Sequence, residues 1–90
     1  MHVAELIHEL PTVVLDEEGR TYLARVWGAA RSDGTWEAWL EFDPADGGPE
    51  LLRTQRETSQ PNRAAVDYWA HGLEPIYLDG AFARARGRLL

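Results

Sequence analysis

The segment that most constrains the fold is an alternating stretch, residues 35–42, which follows Ser32-Asp33-Gly34. Its apolar side chains recur at every second position: Trp36, Ala38, Leu40 and Phe42. Such alternation is typical of an antiparallel strand with one buried face. The other face, which should be plainly polar, has Trp39 between Glu37 and Glu41. The stretch therefore predicts a half-buried strand with an unusual outer face.

The turn before this strand sets its pairing with the preceding strand. A three-residue loop with Gly34 in the left-handed region places Arg31 opposite Thr35. A two-residue loop would put charged residues opposite apolar ones, because a slip of one residue reverses the faces of a strand. The predicted pairs are Ala30–Trp36, Gly28–Ala38, Trp27–Trp39, Val26–Leu40, Arg25–Glu41 and Ala24–Phe42. A loop at 17–19 likewise predicts Asp16–Arg20, Val14–Tyr22 and Val13–Leu23.

Further elements follow along the chain. Residues 43–49 form a loop rich in proline and glycine, and residues 51–58 read as a polar fourth strand. An apolar stripe after Pro61 predicts a helix that ends at Gly72. Pro75 can open a second helix, which Gly80 weakens. Residues 3–10 have a helical stripe that is short for a helix, so helix, strand and disordered extension all stay open there.

These features predict an α+β fold: a three- to four-stranded antiparallel meander packed against one or two C-terminal helices. We expect a single domain over 1–90, with an N-terminal extension at 1–11, the sheet at 12–58 and a helical segment at 60–88. Most of the core is predicted to consist of Tyr22, Val26, Trp36, Ala38, Leu40, Phe42, Val66, Trp69, Leu73 and Phe82.

Composition excludes several classes of function. Without cysteine there is no disulfide, no thiolate nucleophile and no cysteine zinc site. The net charge of −6 argues against binding a nucleic-acid backbone. No apolar run approaches the ~20 residues that cross a bilayer, and no basic cluster precedes an apolar core at the amino terminus. We therefore expect a cytoplasmic protein with no membrane contact. All nine basic residues are arginine, which suggests a bacterium with a GC-rich genome.

Two groups of side chains are candidates for catalysis. Asp67 and His71 are four residues apart on one helix face, where a carboxylate could orient an imidazole as a base. A histidine in the last turn also suits the carbonyl-rich end of a helix, and this structural role is favoured. Glu37 and Glu41 share a strand face, but Arg25 opposite Glu41 favours a surface ion pair over paired acids. No catalytic residue is therefore assigned.

The amino terminus contains a group of metal-ligand residue types. His2, Glu5, His8 and Glu9 lack the spacing of the His-Glu-x-x-His helix motif, and chain termini often fray. No metal and no cofactor are predicted.

The outer sheet face offers a candidate contact surface, and three explanations of it stay open. Trp27 and Trp39 could form a stabilising cross-strand stack. They could instead belong to a protein interface, where tryptophan and arginine are enriched. The amino-terminal segment could also fold over them. The candidate contact residues are Arg25, Trp27, Glu37, Trp39, Glu41 and, at the strand-to-helix junction, Arg56.

That junction, residues 56–62, is dense in polar side chains. Thr58, Ser59 or Asn62 could cap the following helix, and Arg56 and Glu57 could pair across the sheet. The helix start could also bind an anion, although capping is favoured.

The combination of three segments resembles a group of small uncharacterised bacterial proteins. The segments are 36–42, 53–62 and 68–78, and the likeness spans about residues 20–86. The resemblance implies a bacterial protein and no particular activity.

The sequence thus favours a small non-enzymatic bacterial interaction module, which either self-associates or serves as an accessory subunit of a larger assembly. One alternative is a nucleic-acid or nucleotide binder that uses Arg53, Arg56 and the C-terminal arginines. Another is a small hydrolase or lyase that uses Asp67 and His71.

Overall fold

The structure, a computed structural model, describes residues 3–87 of the chain. Within that range five strands precede two helices, and the fold is α+β as predicted. The strands form one antiparallel sheet in the order β1-β2-β3-β4, and β5 pairs with β3. The elements are β1 Glu5–Leu15, β2 Thr21–Ala30, β3 Trp36–Pro44, β4 Leu52–Arg53, β5 Thr58–Gln60, α1 Arg63–His71 and α2 Pro75–Ala85.

Both hairpin registers are confirmed. Trp27 is the partner of Trp39, with every neighbouring pair of β2 and β3 as predicted. Val13 and Val14 pair with Leu23 and Tyr22 on the other side of β2. Gly34 has φ of +90°, the left-handed conformation that the three-residue loop requires. The loop is closed by Asp33, whose carboxylate accepts from the backbone N–H of Thr35 at 2.9 Å.

The sheet begins at Glu5 rather than at residue 12, because the segment considered as an extension pairs along β2. As a strand, this segment can form backbone hydrogen bonds with β2, whereas a helix would have to end before Pro11 after a few residues. Pro11 is accommodated because β1 is an edge strand. The register between β1 and β2 shifts between Glu9 and Val13, which bracket that proline.

The predicted fourth strand, 51–58, is wrong in one respect: it is divided into β4 and β5. Arg53 pairs with Glu41 and Thr58 pairs with Ala38. Between these two pairs the chain advances by five residues from β4 to β5 but by only three along β3. Two extra residues therefore bulge out of the sheet. The Thr54 side chain stabilises the break, because its Oγ1 accepts from the Leu40 N–H at 3.0 Å.

Both helices pack on one face of the sheet and form the core with it. Asn62 is the N-cap of α1, and its side chain accepts from the Ala65 N–H at 2.9 Å. Of the predicted core residues, Trp36, Trp69 and Leu73 are only partly buried and pack at its margin. The rest of the buried core comes from both sheet and helices: Val14, Ala24, Ala70, Leu78 and Ala81.

Candidate functional site

The sheet face opposite the helices is the first candidate site. We call it the tryptophan face. Cross-strand partners share a face, so its members follow from the register. No helix or strand of residues 3–87 packs over it. It consists of Leu6, Glu9, Val13 and Leu15 of β1; Leu23, Arg25 and Trp27 of β2; Glu37, Trp39, Glu41 and Asp43 of β3; and Arg53 of β4.

An apolar row crosses this face from Leu6 through Trp27 to Trp39. Trp27 and Trp39 are half-buried, and the indole N–H of each is buried without a hydrogen-bond partner in the described chain. An unpaired buried donor costs about 1–3 kcal/mol. The ring contacts among residues 3–87 include no Trp27–Trp39 stack. The hypothesis of a stabilising stack is therefore not supported.

The hypothesis of an amino-terminal cover is not supported either. From Glu5 onward the segment lies beside β2 as a strand. Val3, two positions before Glu5, is 73% exposed. Instead, the face presents apolar side chains to solvent: Leu6, Val13, Leu15 and Leu23 are 42%, 47%, 61% and 38% exposed.

A row of alternating charge runs parallel to the tryptophan row: Glu9, Arg25, Glu41 and Arg53 are successive cross-strand partners. The expected Arg25–Glu41 ion pair is wrong. Arg25 pairs instead with Glu9, at 3.3 Å, and with Asp43. These two carboxylates flank its guanidinium and satisfy it.

Glu37 and Glu41 share the outer face of β3 but are four positions apart, so their Cα atoms are separated by about 13 Å at the rise of a strand. This is about twice the spacing of neighbouring residues on one strand face, and Trp39 lies between them. No ion pair to either carboxylate occurs among residues 3–87.

Asp67 and His71 lie together on α1, as expected, but the imidazole is held by its own helix. His71 Nδ1 is 2.8 Å from the backbone oxygen of Asp67 and 3.6 Å from its Oδ1. The other contact of the ring is a stack on His8 of β1, with centroids 3.9 Å apart. The Nδ1 contact agrees with the helix-end role expected of His71, and the stack on His8, which the sequence did not predict, joins α1 to the edge strand.

The amino-terminal candidates for metal binding have other partners. Glu5 pairs with Arg63 at 3.0 Å, Glu9 pairs with Arg25, and His8 stacks on His71. His2 lies outside the described residues. No cluster of three or more metal-ligand side chains occurs in residues 3–87.

A second candidate site is produced by the bulge between β4 and β5. The bulge projects Gln55 and Arg56 beside Arg53, and α2 contributes Arg84. Together with Glu57 these residues line a cavity of about 430 Å³, which we call the arginine cleft. The suggested pairing of Arg56 and Glu57 across the sheet does not occur: Glu57 pairs with Arg84 of α2, and Arg56 has no ion pair within residues 3–87.

Glu57 anchors the floor of the arginine cleft. Its side chain is 8% exposed, accepts a 2.5 Å hydrogen bond from the Tyr77 hydroxyl and forms an ion pair with Arg84. Burial and this bond to the Glu57 carboxylate raise the pKa of Tyr77 to about 12. Sequence reasoning missed the cluster, because its members come from positions 57, 77 and 84 and share no local motif.

The two candidate sites adjoin. A smaller cavity of about 190 Å³ is lined by residues of both, including Trp39, Arg53 and Arg56. The Arg53 guanidinium lies 5.7 Å from the centroid of the Trp39 ring. The structure thus places five of the six predicted contact residues on the tryptophan face and Arg56 at its border.

The arginines of the C-terminal segment are engaged within the chain. Arg84 pairs with Glu57, and Arg86 pairs with Glu17 at 2.7 Å. Arg88 lies outside the described residues. A third cavity, an apolar groove of about 520 Å³ along α1, was also missed from the sequence; it is lined by Gln60, Ala65, Tyr68, Trp69, Gly72, Leu73 and Tyr77.

Across residues 3–87, neither helix has the length and apolar character needed to span a membrane. Comparison of the chain with protein-family models, with curated proteins and with solved structures finds no match.

Proposed function

We propose that this protein is a non-enzymatic interaction module that self-associates through the tryptophan face. The observation that carries the proposal is a sheet face on which no described helix or strand packs, and on which the apolar row Leu6–Trp27–Trp39 lies beside a row of alternating charge. A contiguous apolar patch with charged neighbours is typical of a protein interface. The buried indole donors make these tryptophans costly for an isolated fold.

A second copy is the occupant that the charge order of the face favours. A twofold axis parallel to the strands, between β2 and β3, would place β1 of one copy over β4 of the other. Glu9 of one copy then faces Arg53 of the other. Arg25 faces Glu41 in the same way. Every contact in the row brings opposite charges together, so the row is complementary to its own reversed copy.

The same axis brings the tryptophans to the centre of the contact. Trp27 of one copy faces Trp39 of the other, because these residues are partners on β2 and β3. Two packed sheets cross at about 30°, so residues close to the axis, on β2 and β3, stay opposite each other while residues on the outer strands diverge. The large aromatic side chains therefore occupy the place where an interface gains most of its free energy.

The size of the face sets the expected strength of the dimer. Three strands of nine to eleven residues cover roughly 30 Å by 14 Å, from the rise and spacing of strands. Treated as flat, two such faces together bury about 800–900 Å² of surface. This area is below the ~1,200 Å² at the low end for stable complexes, although the uneven surface of the side chains adds to it. We therefore expect a dimer whose population depends on concentration in the micromolar range.

Mass by light scattering after size exclusion tests this proposal. The parent protein should pass from the monomer mass of 10.2 kDa towards twice that mass as its concentration rises from micromolar to millimolar. Leu6→Glu introduces a charge into the tryptophan row at a half-exposed position and should leave a folded monomer. Ile76→Glu is the matched control, since Ile76 is 81% exposed on α2, and it should dimerise like the parent.

A parent that remains a monomer at millimolar concentration would refute self-association. Equal dimerisation of the parent and of Leu6→Glu would refute the assignment to this face. Circular dichroism on each variant establishes that the compared proteins are folded.

A further inference from the structure

We propose that the arginine cleft binds the phosphate group of a small ligand, either free phosphate or a phosphate monoester. The site overlaps the self-association surface at one residue. It uses Arg56, Gln55 and Arg84, which do not belong to the tryptophan face, together with Arg53, which does.

The first argument is the pattern of ion pairing. Most arginines of the described chain pair with a carboxylate: Arg20, Arg25, Arg63, Arg84 and Arg86. Arg31, Arg53 and Arg56 have no ion pair within residues 3–87, and two of these three line the same cavity. The chain has fifteen acidic residues and nine arginines, so carboxylate partners are abundant. Two unpaired like charges in one cleft repel each other, and a bound anion removes that repulsion.

The second argument is charge balance. Three arginines and one glutamate line the cleft, which gives a net charge of +2. A phosphate monoester carries about −1.5 to −2 near neutral pH. Glu57 is held by Tyr77 and by Arg84, whose charge it balances, so the net charge of the cleft comes from Arg53 and Arg56. A dianionic phosphate therefore neutralises the cleft, whereas a single carboxylate leaves one positive charge.

The third argument is the choice and placement of donors. The planar guanidinium group presents paired N–H donors that match the oxygens of phosphate, and Gln55 adds an amide donor. The Glu57 carboxylate orients Arg84 and the Trp39 ring lies under Arg53, so two of the three guanidinium groups are held in place before a ligand arrives. Donors held in advance lose less entropy on binding.

The fourth argument is size. A cavity of about 430 Å³ has the size of a site for one small molecule. The adjoining 190 Å³ cavity, with Glu37 and Thr54 in its lining, gives room for a polar group attached to the phosphate. This space favours a monoester over the free ion.

The test is a titration of the full chain at constant ionic strength. It is monitored through the arginine Nε–Hε signals in ¹H–¹⁵N spectra. The probes are inorganic phosphate, phosphoserine and, as a monoanion control, acetate. We expect saturable shifts of Arg53, Arg56 and Arg84 with both phosphates and none with acetate. Tighter binding of phosphoserine identifies a monoester as the ligand, and equal binding identifies free phosphate.

Arg56→Gln should weaken phosphate binding about tenfold or more, since it removes a charge-assisted contact. Arg31→Gln is the matched control: it removes an unpaired arginine at the β2–β3 turn, outside the cleft lining, and should leave the affinity unchanged. Shifts that never saturate, or equal affinities of these two variants, would overturn the proposal. Neither variant alters the tryptophan face, so the dimerisation result stands separately.

Discussion

The hydroxyl group of Tyr77 donates a 2.5 Å hydrogen bond to the Glu57 carboxylate, and this bond joins α2 to the end of the sheet. The Arg84 guanidinium also lies over the Tyr77 ring, 5.7 Å from its centroid. The bond exists only while the phenol is protonated. Loss of the phenol proton at alkaline pH therefore weakens the packing of α2 on the sheet.

We predict that the free energy of unfolding falls as the pH rises from about 10 to about 12. The pKa of Tyr77 is higher in the folded state than its ordinary value of 10.0, so its stabilisation is complete below pH 10 and is lost as the pH approaches 12. Phenolate absorbance and urea unfolding at stepped pH measure the two effects. Tyr77→Phe should remove one late-titrating phenolate and flatten the fall in stability. An unchanged late titration step in this variant would contradict the assignment.

Thr54→Val should destabilise the protein by about 1–3 kcal/mol, because the Leu40 N–H loses its acceptor inside the core. Thr54→Ser is the matched control, since it keeps the oxygen and loses only a methyl group. Urea unfolding ranks the variants, and hydrogen exchange of the Leu40 amide locates the change. A smaller loss for valine than for serine would show that the side-chain bond does not stabilise the break between β4 and β5.

Leu78→Ala should cost about 2–5 kcal/mol, since Leu78 is 1% exposed and packs in the core. Ile76→Ala, two positions away on the same helix, should stay within about 0.5 kcal/mol because Ile76 is 81% exposed. Thermal or urea unfolding of the pair tests whether α2 is an integral part of the fold. Similar small losses in both variants would place α2 outside the cooperative unit.

The hairpins could be predicted in detail because their information is local. A short loop with glycine at the left-handed position and a period-two pattern together leave one register, and Trp27 opposite Trp39 follows from it. The sequence does not decide between helix and strand for β1, because its apolar residues fit both patterns and Pro11 interrupts both. Only pairing with β2 resolves that ambiguity.

The arginine cleft depends on relationships that no local pattern contains. The number of residues that bulge between β4 and β5 is set by the separate pairings of Arg53 and Thr58 with β3. Glu57 finds its partners on α2, twenty and twenty-seven positions away. The sequence therefore identified Arg53 and Arg56 as an alternative binding site, but not the buried carboxylate that shapes it.

The indole groups give the last prediction. Trp39→Phe removes a buried N–H that has no acceptor in the described chain while it keeps an aromatic ring on the face. Trp39→Ala removes that donor as well, but it also deletes the ring beneath Arg53. We expect the alanine variant to be less stable than the phenylalanine variant by roughly 2 kcal/mol, since only alanine leaves a large gap.

Urea unfolding at a concentration well below the midpoint of dimerisation, where the monomer predominates, measures this difference. The parent and Trp39→Phe should agree within about 1 kcal/mol, because the lost ring area and the removed unpaired donor act in opposite directions. At higher concentration the phenylalanine variant should dimerise less than the parent, since a smaller ring fills less of the proposed contact with Trp27. Equal losses in the phenylalanine and alanine variants would mean that the indole N–H is bonded after all, and that the tryptophan stabilises the monomer.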